Sequence, residues 1–144
     1  MKGVYYHKVQ YYETDAMGIV HHSNYIRWLE EARLDCLTAN GFGYEKLEER
    51  GIQIPVLSVS CEYKVMVRYG QTVRIEYEVD ALKLVKFSVA YRIYSEDGSV
   101  LHATASSAHC FLNSDLKPIS IKKTAPDVYE FFAQNVEKTK ENPG

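Results

Sequence analysis

The stretch Asp15-Ala-Met-Gly-Ile-Val-His-His-Ser-Asn-Tyr-Ile-Arg-Trp-Leu-Glu-Glu-Ala-Arg33 changes its period partway along. Glu13 to Asn24 is polar and turn-prone and holds Gly18. From there apolar residues recur at helical spacing: Tyr25, Trp28, Leu29, Ala32, Cys36 and Leu37, with Ile26 widening the stripe. Ser23 or Asn24 is the expected cap, and Gly41 with Gly43 the expected stop. Few charges interrupt the stripe, so substantial burial of this helix is expected.

Outward from the helix the period is that of strands. Val4 to Tyr12 is rich in tyrosine and valine and predicts a first strand. Tyr44 to Arg50 predicts a short helix ended by Gly51. Val59, Cys61, Tyr63, Val65 and Val67 then alternate with Ser60, Glu62 and Lys64. After an Arg68-Tyr69-Gly70-Gln71 turn, Val73, Ile75, Tyr77, Val79 and Ala81 alternate with Thr72, Arg74, Glu76, Glu78 and Asp80, a strand with one face inward and one outward. A short connection from Lys83 to Lys86 leads to Phe87, Val89, Tyr91 and Ile93, and Glu96-Asp97-Gly98 is the next turn. Val100 to Leu112 is apolar with small residues, which predicts a strand covered on both faces. After a turn at Asn113 to Pro118, Thr124-x-x-Asp127 with Pro126 predicts the start of a last helix burying Val128, Phe131, Phe132 and Val136. Lys138 to Gly144 is expected to fray. The order is strand, buried helix, four antiparallel strands and terminal helix. This is an α+β arrangement of one domain over residues 1–144, with its ordered core at about 4–136. The sheet's open face and edges need covering, which predicts self-association.

Composition removes several classes. At 46% apolar and 25% charged, the chain is too apolar for disorder. A formal net charge of −2 provides no general attraction for nucleic acid. No apolar run approaches the roughly 18 to 20 residues that cross a bilayer, and the start lacks the apolar block of a signal peptide. A cytoplasmic protein without membrane insertion is expected. Cys36, Cys61 and Cys110 are odd in number and far apart, which argues against disulfides and structural zinc and for small buried thiols.

Chemistry concentrates in the loop before the helix, where Tyr11, Asp15, His21, His22 and Tyr25 all lie in the one segment from 11 to 25. Helix starts present free N–H groups and a positive dipole end that can stabilise a developing oxyanion. A carboxylate held beside them could attack a bound carbonyl or activate water. Each residue also has a plain reading. Asp15 could brace the turn through its own backbone, His22 could be a surface residue at a helix start, and Tyr11 could pack in the strand. Adjacent His21 and His22 lack the spacing of a metal site. His102 and His109, an odd number of residues apart on one strand, are expected to face opposite sides and to be structural.

The run from Asp15 to Arg33, with its Asp, Gly, aromatic and Glu-x-x-Arg pattern, resembles the signature of hotdog-fold acyl-CoA thioesterases. The nearest groups are the 4-hydroxybenzoyl-CoA thioesterase family and its Tol-Pal-associated branch, and the order of elements fits from Val4 to Val136. The resemblance implies a curved five-stranded antiparallel sheet wrapped around a long central helix, with dimers joined edge to edge and often paired into tetramers. It implies that Asp15 is the catalytic carboxylate, as nucleophile or general base, and that His22 and Tyr11 assist. In the hydroxybenzoyl enzymes the position of His22 supplies a backbone N–H to the thioester carbonyl. Gly18 would allow close backbone approach, and Tyr25 would line the substrate site. Met17 and the His21-His22 pair depart from the two branches and count against an aromatic acyl group. No cofactor or metal is implied, since coenzyme A is part of the substrate.

Coenzyme A carries phosphates, so its site needs local cations, for which Lys64, Arg68, Lys83 and Lys86 are the candidates. Two other readings compete. An acyl-thioester hydratase or dehydratase would place its carboxylate on the helix, where Glu30 and Glu31 lie, and a non-catalytic module would bind acyl-CoA without releasing thiol.

Overall fold

The structure is a computed structural model and describes residues 1–136. The expected frayed stretch from Lys138 lies outside the described residues. Five strands, β1 (Lys2–Lys8), β2 (Val56–Tyr63), β3 (Thr72–Leu82), β4 (Lys86–Ser95) and β5 (Leu101–Cys110), form one antiparallel sheet in the order β1-β3-β4-β5-β2. The helices are α1 (Ser23–Ala39), α2 (Tyr44–Glu49), α3 (Ile121–Thr124) and α4 (Pro126–Ala133). The architecture is therefore α+β, as the pattern predicts. No helix among the described residues is long and apolar enough to cross a membrane.

The stripe of α1 and the inward face of β3 and β4 share one core. Tyr25, Trp28, Leu29, Ala32, Cys36 and Leu37 are buried on the helix, against Val73, Ile75, Tyr77, Val79, Val89, Tyr91 and Ile93 on the sheet. Burying side chains of this size contributes about 1.5 to 3 kcal/mol each before entropy is charged. Helix α1 ends as expected: Gly41 adopts a φ of +83°, and the Phe42 N–H turns back to the Leu37 carbonyl at 2.8 Å. The terminal amine of Met1 donates to the carbonyls of Phe131, Phe132 and Gln134 at the end of α4. Burial pulls its pKa down to about 6.

Several expectations need correction. The first strand stops at Lys8, because Tyr11–Glu13 forms a single 3₁₀ turn that redirects the chain toward α1. Strand β2 ends at Tyr63 rather than Val67. Beyond it the N–H groups of Lys64 and Val65 share the His102 carbonyl, and the ladder cannot continue. The inward alternation of β3 slips past Val79: a register shift leaves Ala81 half-buried and gives the inward position to Leu82. Strand β5 is not covered on both faces along its length, since Ser106 is exposed. The Thr124 capping box does not form. Thr124 closes α3, and α4 starts at Pro126 without a side-chain cap. Cys61 is half-buried, while Cys36 and Cys110 are buried. His102 and His109 are both buried, and their bonds run apart: His102 Nδ1 to the Val65 carbonyl, His109 Nε2 to Ser107 Oγ.

Candidate active site

The loop between the 3₁₀ turn and α1 is pinned to the sheet by its own short ladder. Thr14 pairs with Val20, Ile19 pairs with Arg68, and the Val20 N–H reaches the Val67 carbonyl at 2.9 Å. Gly18 closes the turn at a φ of +74°, where an L side chain is strained. An added Cβ there would meet nothing within 4 Å. The turn thus gives glycine a conformational reason at this position.

Asp15 is exposed at the head of this turn. Its Oδ1 accepts from the N–H groups of Met17 (2.8 Å) and Ile19 (3.2 Å), so the turn-bracing reading describes one oxygen. No hydrogen bond engages Oδ2 among the described residues. The carboxylate is held in one orientation with an oxygen to spare.

Neither Ser23 nor Asn24 caps α1. His22 occupies the cap position, and both side chains are occupied nearby. Ser23 Oγ lies 2.8 Å from His21 Nδ1, and Asn24 Nδ2 donates to the carbonyls of Glu13 and His21. The helix start consumes most of its donors internally. His21 N–H reaches Glu13 O, Ser23 N–H reaches His21 Nδ1, Asn24 N–H reaches His21 O, and Tyr25 N–H reaches His22 O. The His22 N–H has no such acceptor among the described residues. It is the unspent donor of the first turn, at the positive end of a 17-residue helix.

The imidazoles of His21 and His22 are exposed and stacked at 4.3 Å. Tyr25 is buried against Trp28 and Tyr63, and burial pushes its phenol up from its ordinary pKa. Tyr11 lies outside the strand, in the 3₁₀ turn. It is 78% exposed, with its ring edge-on to Tyr69 at 5.7 Å.

The proposed phosphate cations separate into two groups. Arg68 adjoins the loop through its pairing with Ile19 and makes no ion pair among the described residues. Lys64 lies just past β2, 3.8 Å from the exposed Glu62 carboxylate, a pair of little energetic weight. Lys83 and Lys86 flank the β3–β4 turn, where with Leu57 and Ala108 they line a shallow recess. Thr72 is at the loop end of the 11-residue strand β3, so about 35 Å of extended chain separates it from Lys83 in the same chain.

Glu13 and Tyr63 belong to the site's construction although their residue types give no sign of it. Glu13 is 4% exposed, and both its oxygens are engaged. Oε1 accepts from the Gln10 N–H (2.8 Å) and faces His7 Nε2 (2.7 Å), while Oε2 accepts from Trp28 Nε1 (2.7 Å). Burial alone would raise its pKa, but the bonds from Gln10, His7 and Trp28 outweigh it and hold the carboxyl below the usual carboxylate range. Tyr63 lies beside Tyr25 and donates to the His22 carbonyl at 3.3 Å. The Glu13 position two residues before Asp15 was its one available signal; Tyr63 had none beyond strand periodicity.

The profile of the thioesterase-like superfamily matches residues 9–136. The DHNA-CoA thioesterase of Staphylococcus aureus superposes with a TM-score of 0.83 at 31% identity, covering 92% of this chain and 89% of that one. A hypothetical protein from Thermus thermophilus superposes with a TM-score of 0.83 at 31% identity, covering 96% of this chain and 100% of that one. The acyl-CoA thioesterase YbgC of Haemophilus influenzae is 27% identical over 81% of this chain and 85% of its own length.

Proposed function

Because the chain belongs to the thioesterase-like superfamily, we propose that it hydrolyses acyl-CoA thioesters, with Asp15 as the catalytic carboxylate and the His22 backbone N–H as an oxyanion donor. The observation that carries this reading is that one short loop, running from Asp15 to the start of α1, holds both a braced, exposed carboxylate and an unspent N–H. Glu13, the other carboxylate in the segment, is buried with both oxygens engaged and cannot serve. Names of relatives that act on acyl-CoA thioesters support the same chemistry.

The steps follow from these groups. The thioester carbonyl oxygen lies against the His22 N–H, where the helix start favours negative charge. Asp15 Oδ2 either attacks the carbonyl carbon, giving an anhydride that water opens, or takes a proton from a water that attacks. The C–S bond breaks and the thiolate departs. It is a good leaving group, so no strong general acid is needed. The His22 imidazole supports the departing sulfur or the water, and the exposed phenol of Tyr11 borders the same opening. Gly18 shapes the turn, and Tyr25 closes the floor.

Coenzyme A phosphates are held by Arg68 and Lys64 from one chain and by Lys83 and Lys86 from a second copy. Strand β2 is a sheet edge whose Val56, Leu57, Val59 and Tyr63 are exposed. A two-fold contact along it runs β2 antiparallel to its copy. The Val56 end, with Lys83 and Lys86 nearby, then meets the partner's loop end at Tyr63. Beside Val56 a cavity of about 180 Å³, lined by Leu37, Ile54 and Phe87 together with the polar Glu30, Arg33 and His109, is the space this reading gives to the acyl group. The homodimer, or a homotetramer built from two, is the working unit of this reading, and a cytoplasmic setting supplies its substrate.

The test is thiol release by the purified protein across short, medium, long and aromatic acyl-CoAs, with crotonyl-CoA hydration followed in parallel. Thiol release supports the reading. Hydration without thiol release, or binding without turnover, overturns it.

A further inference from the structure

Glu13 is a buried charge that the proposed chemistry does not use, and its oxygens take up five hydrogen-bond partners that meet around the loop. Its carboxylate is held by Gln10 N–H, His7 and Trp28. Its backbone carbonyl accepts the His21 N–H and the Asn24 side-chain amide, both at 2.9 Å. One residue therefore joins strand β1, the 3₁₀ turn, the end of the catalytic loop and the first two turns of α1.

The energetic asymmetry of buried polar groups gives this arrangement its force. A buried carboxylate that loses a donor carries the desolvation cost of the freed oxygen in full, so the side chain resists leaving its place. His7 is held from the other side: its Nδ1 lies 3.1 Å from Glu31 Oε2, which also accepts from the Tyr5 hydroxyl at 3.2 Å. Its ring packs on Trp28 at 4.9 Å. Carboxylate oxygens therefore flank both ring nitrogens of His7. The row Glu13–His7–Glu31 thus fixes the Glu13 side chain, and the fixed residue presents its carbonyl to His21.

The consequence reaches both halves of the site. Asp15 is two residues beyond Glu13 along the chain. His22 follows His21, whose N–H is consumed by the Glu13 carbonyl and whose own carbonyl is taken by Asn24. This leaves the His22 N–H as the donor without an acceptor among the described residues.

We propose that Glu13 is a positioning residue: its buried carboxylate, clamped by His7 and Trp28, holds the carbonyl that sets the His21–His22 turn and thereby the spacing between the His22 N–H and Asp15. The proposal rests on the thioesterase reading for its kinetic consequence and on the hydrogen bonds alone for its structural one. Misplacing a reacting group by about 1 Å costs up to about 10²-fold in rate.

The experiment compares wild-type protein with Glu13→Gln, Trp28→Phe and a control core substitution outside the network, Ile75→Val. Glu13→Gln sets an amide N–H against a donor. Trp28→Phe removes one donor and keeps a ring in place, so it reports even if Glu13→Gln does not fold. The expected result is a fall in kcat of about 10- to 100-fold for Glu13→Gln and about 3- to 10-fold for Trp28→Phe, with KM moving less than about threefold. Ile75→Val loses stability without losing kcat. Amide hydrogen exchange at His21 to Tyr25 accelerates in both network variants while exchange in β3 and β4 keeps its wild-type rate. Because the exchange readout needs no turnover, a wild-type protein that releases no thiol overturns the thioesterase reading and leaves this proposal to be judged on exchange. The proposal is overturned if both network variants keep wild-type kcat, if kcat falls no further than in the equally destabilised control, or if exchange rises uniformly through the sheet.

Discussion

The hydroxyl of Tyr63, the last residue of β2, donates to the carbonyl of His22, the cap residue of α1, at 3.3 Å. The edge strand and the candidate oxyanion donor are thus mechanically joined. The bond is long and its groups are exposed, so its net contribution to stability is at most about 0.5 kcal/mol. Tyr63→Phe is expected to lower kcat/KM about 2- to 5-fold while leaving the melting temperature within about 1 °C. Steady-state kinetics beside thermal unfolding check this. A large stability loss with normal turnover per folded molecule would contradict it.

The conformation of Gly18 makes a separate prediction. Its φ of +74° is set by the turn, and space around it is open. Gly18→Ala should therefore cost about 1 kcal/mol through backbone strain alone. Gly18→Asn, which tolerates the left-handed region, should cost less. If crowding governed the position instead, Asn would be the worse of the two. Denaturant melts of both variants decide.

His109 supplies a pH dependence. Burial first, and then the charge of Arg33, lower its pKa from 6.5 to about 4, against a smaller opposing effect of the Pro55 carbonyl. The folded value lies below the unfolded one, so between these limits the unfolded chain binds the extra proton. Its contribution is complete above pH ~6.5 and is lost as pH falls toward ~4. Melting temperatures from pH 7.5 to 4 should fall more steeply for the wild type than for His109→Gln in that window. Parallel curves would contradict the assignment.

A composite site predicts complementation. Asp15→Asn and Lys83→Glu/Lys86→Glu should each be impaired as homodimers. Co-refolded mixtures should regain activity up to about a quarter of wild type, because half the dimers are mixed and each mixed dimer has one intact site. Mixtures no more active than their parents would contradict a shared site.

The legible part of this protein was periodic. Val73 to Val79 and Phe87 to Ile93 alternate as inward strands, and Tyr25 to Leu37 buries the stripe its spacing describes. The features that escaped were decided by long-range partners. Strand β2 ends where His102 supplies one carbonyl to two N–H groups, a matter of β5 and not of Lys64 or Val65. Ser23 and Asn24 have the chemistry of caps, but His21 and Glu13 engaged their side chains first. Glu13 reads as a polar loop residue because burial of its carboxylate depends on His7 and Trp28, one on a strand and one on a helix. Asp15 was legible as the candidate carboxylate, whereas the unengaged Oδ2 and the unspent His22 N–H depend on which neighbours take up the other donors and acceptors of the loop.

The central claim is that Asp15 performs the chemistry of thioester hydrolysis, and its most direct measurement is thiol release by purified Asp15→Asn across the acyl-CoA series. The side chain is exposed and near-isosteric, so the variant should fold normally. The account predicts a native melting temperature and a loss of kcat on the order of 10²- to 10⁴-fold on every substrate the wild type accepts. Turnover near the wild-type rate in a folded Asp15→Asn protein would contradict it.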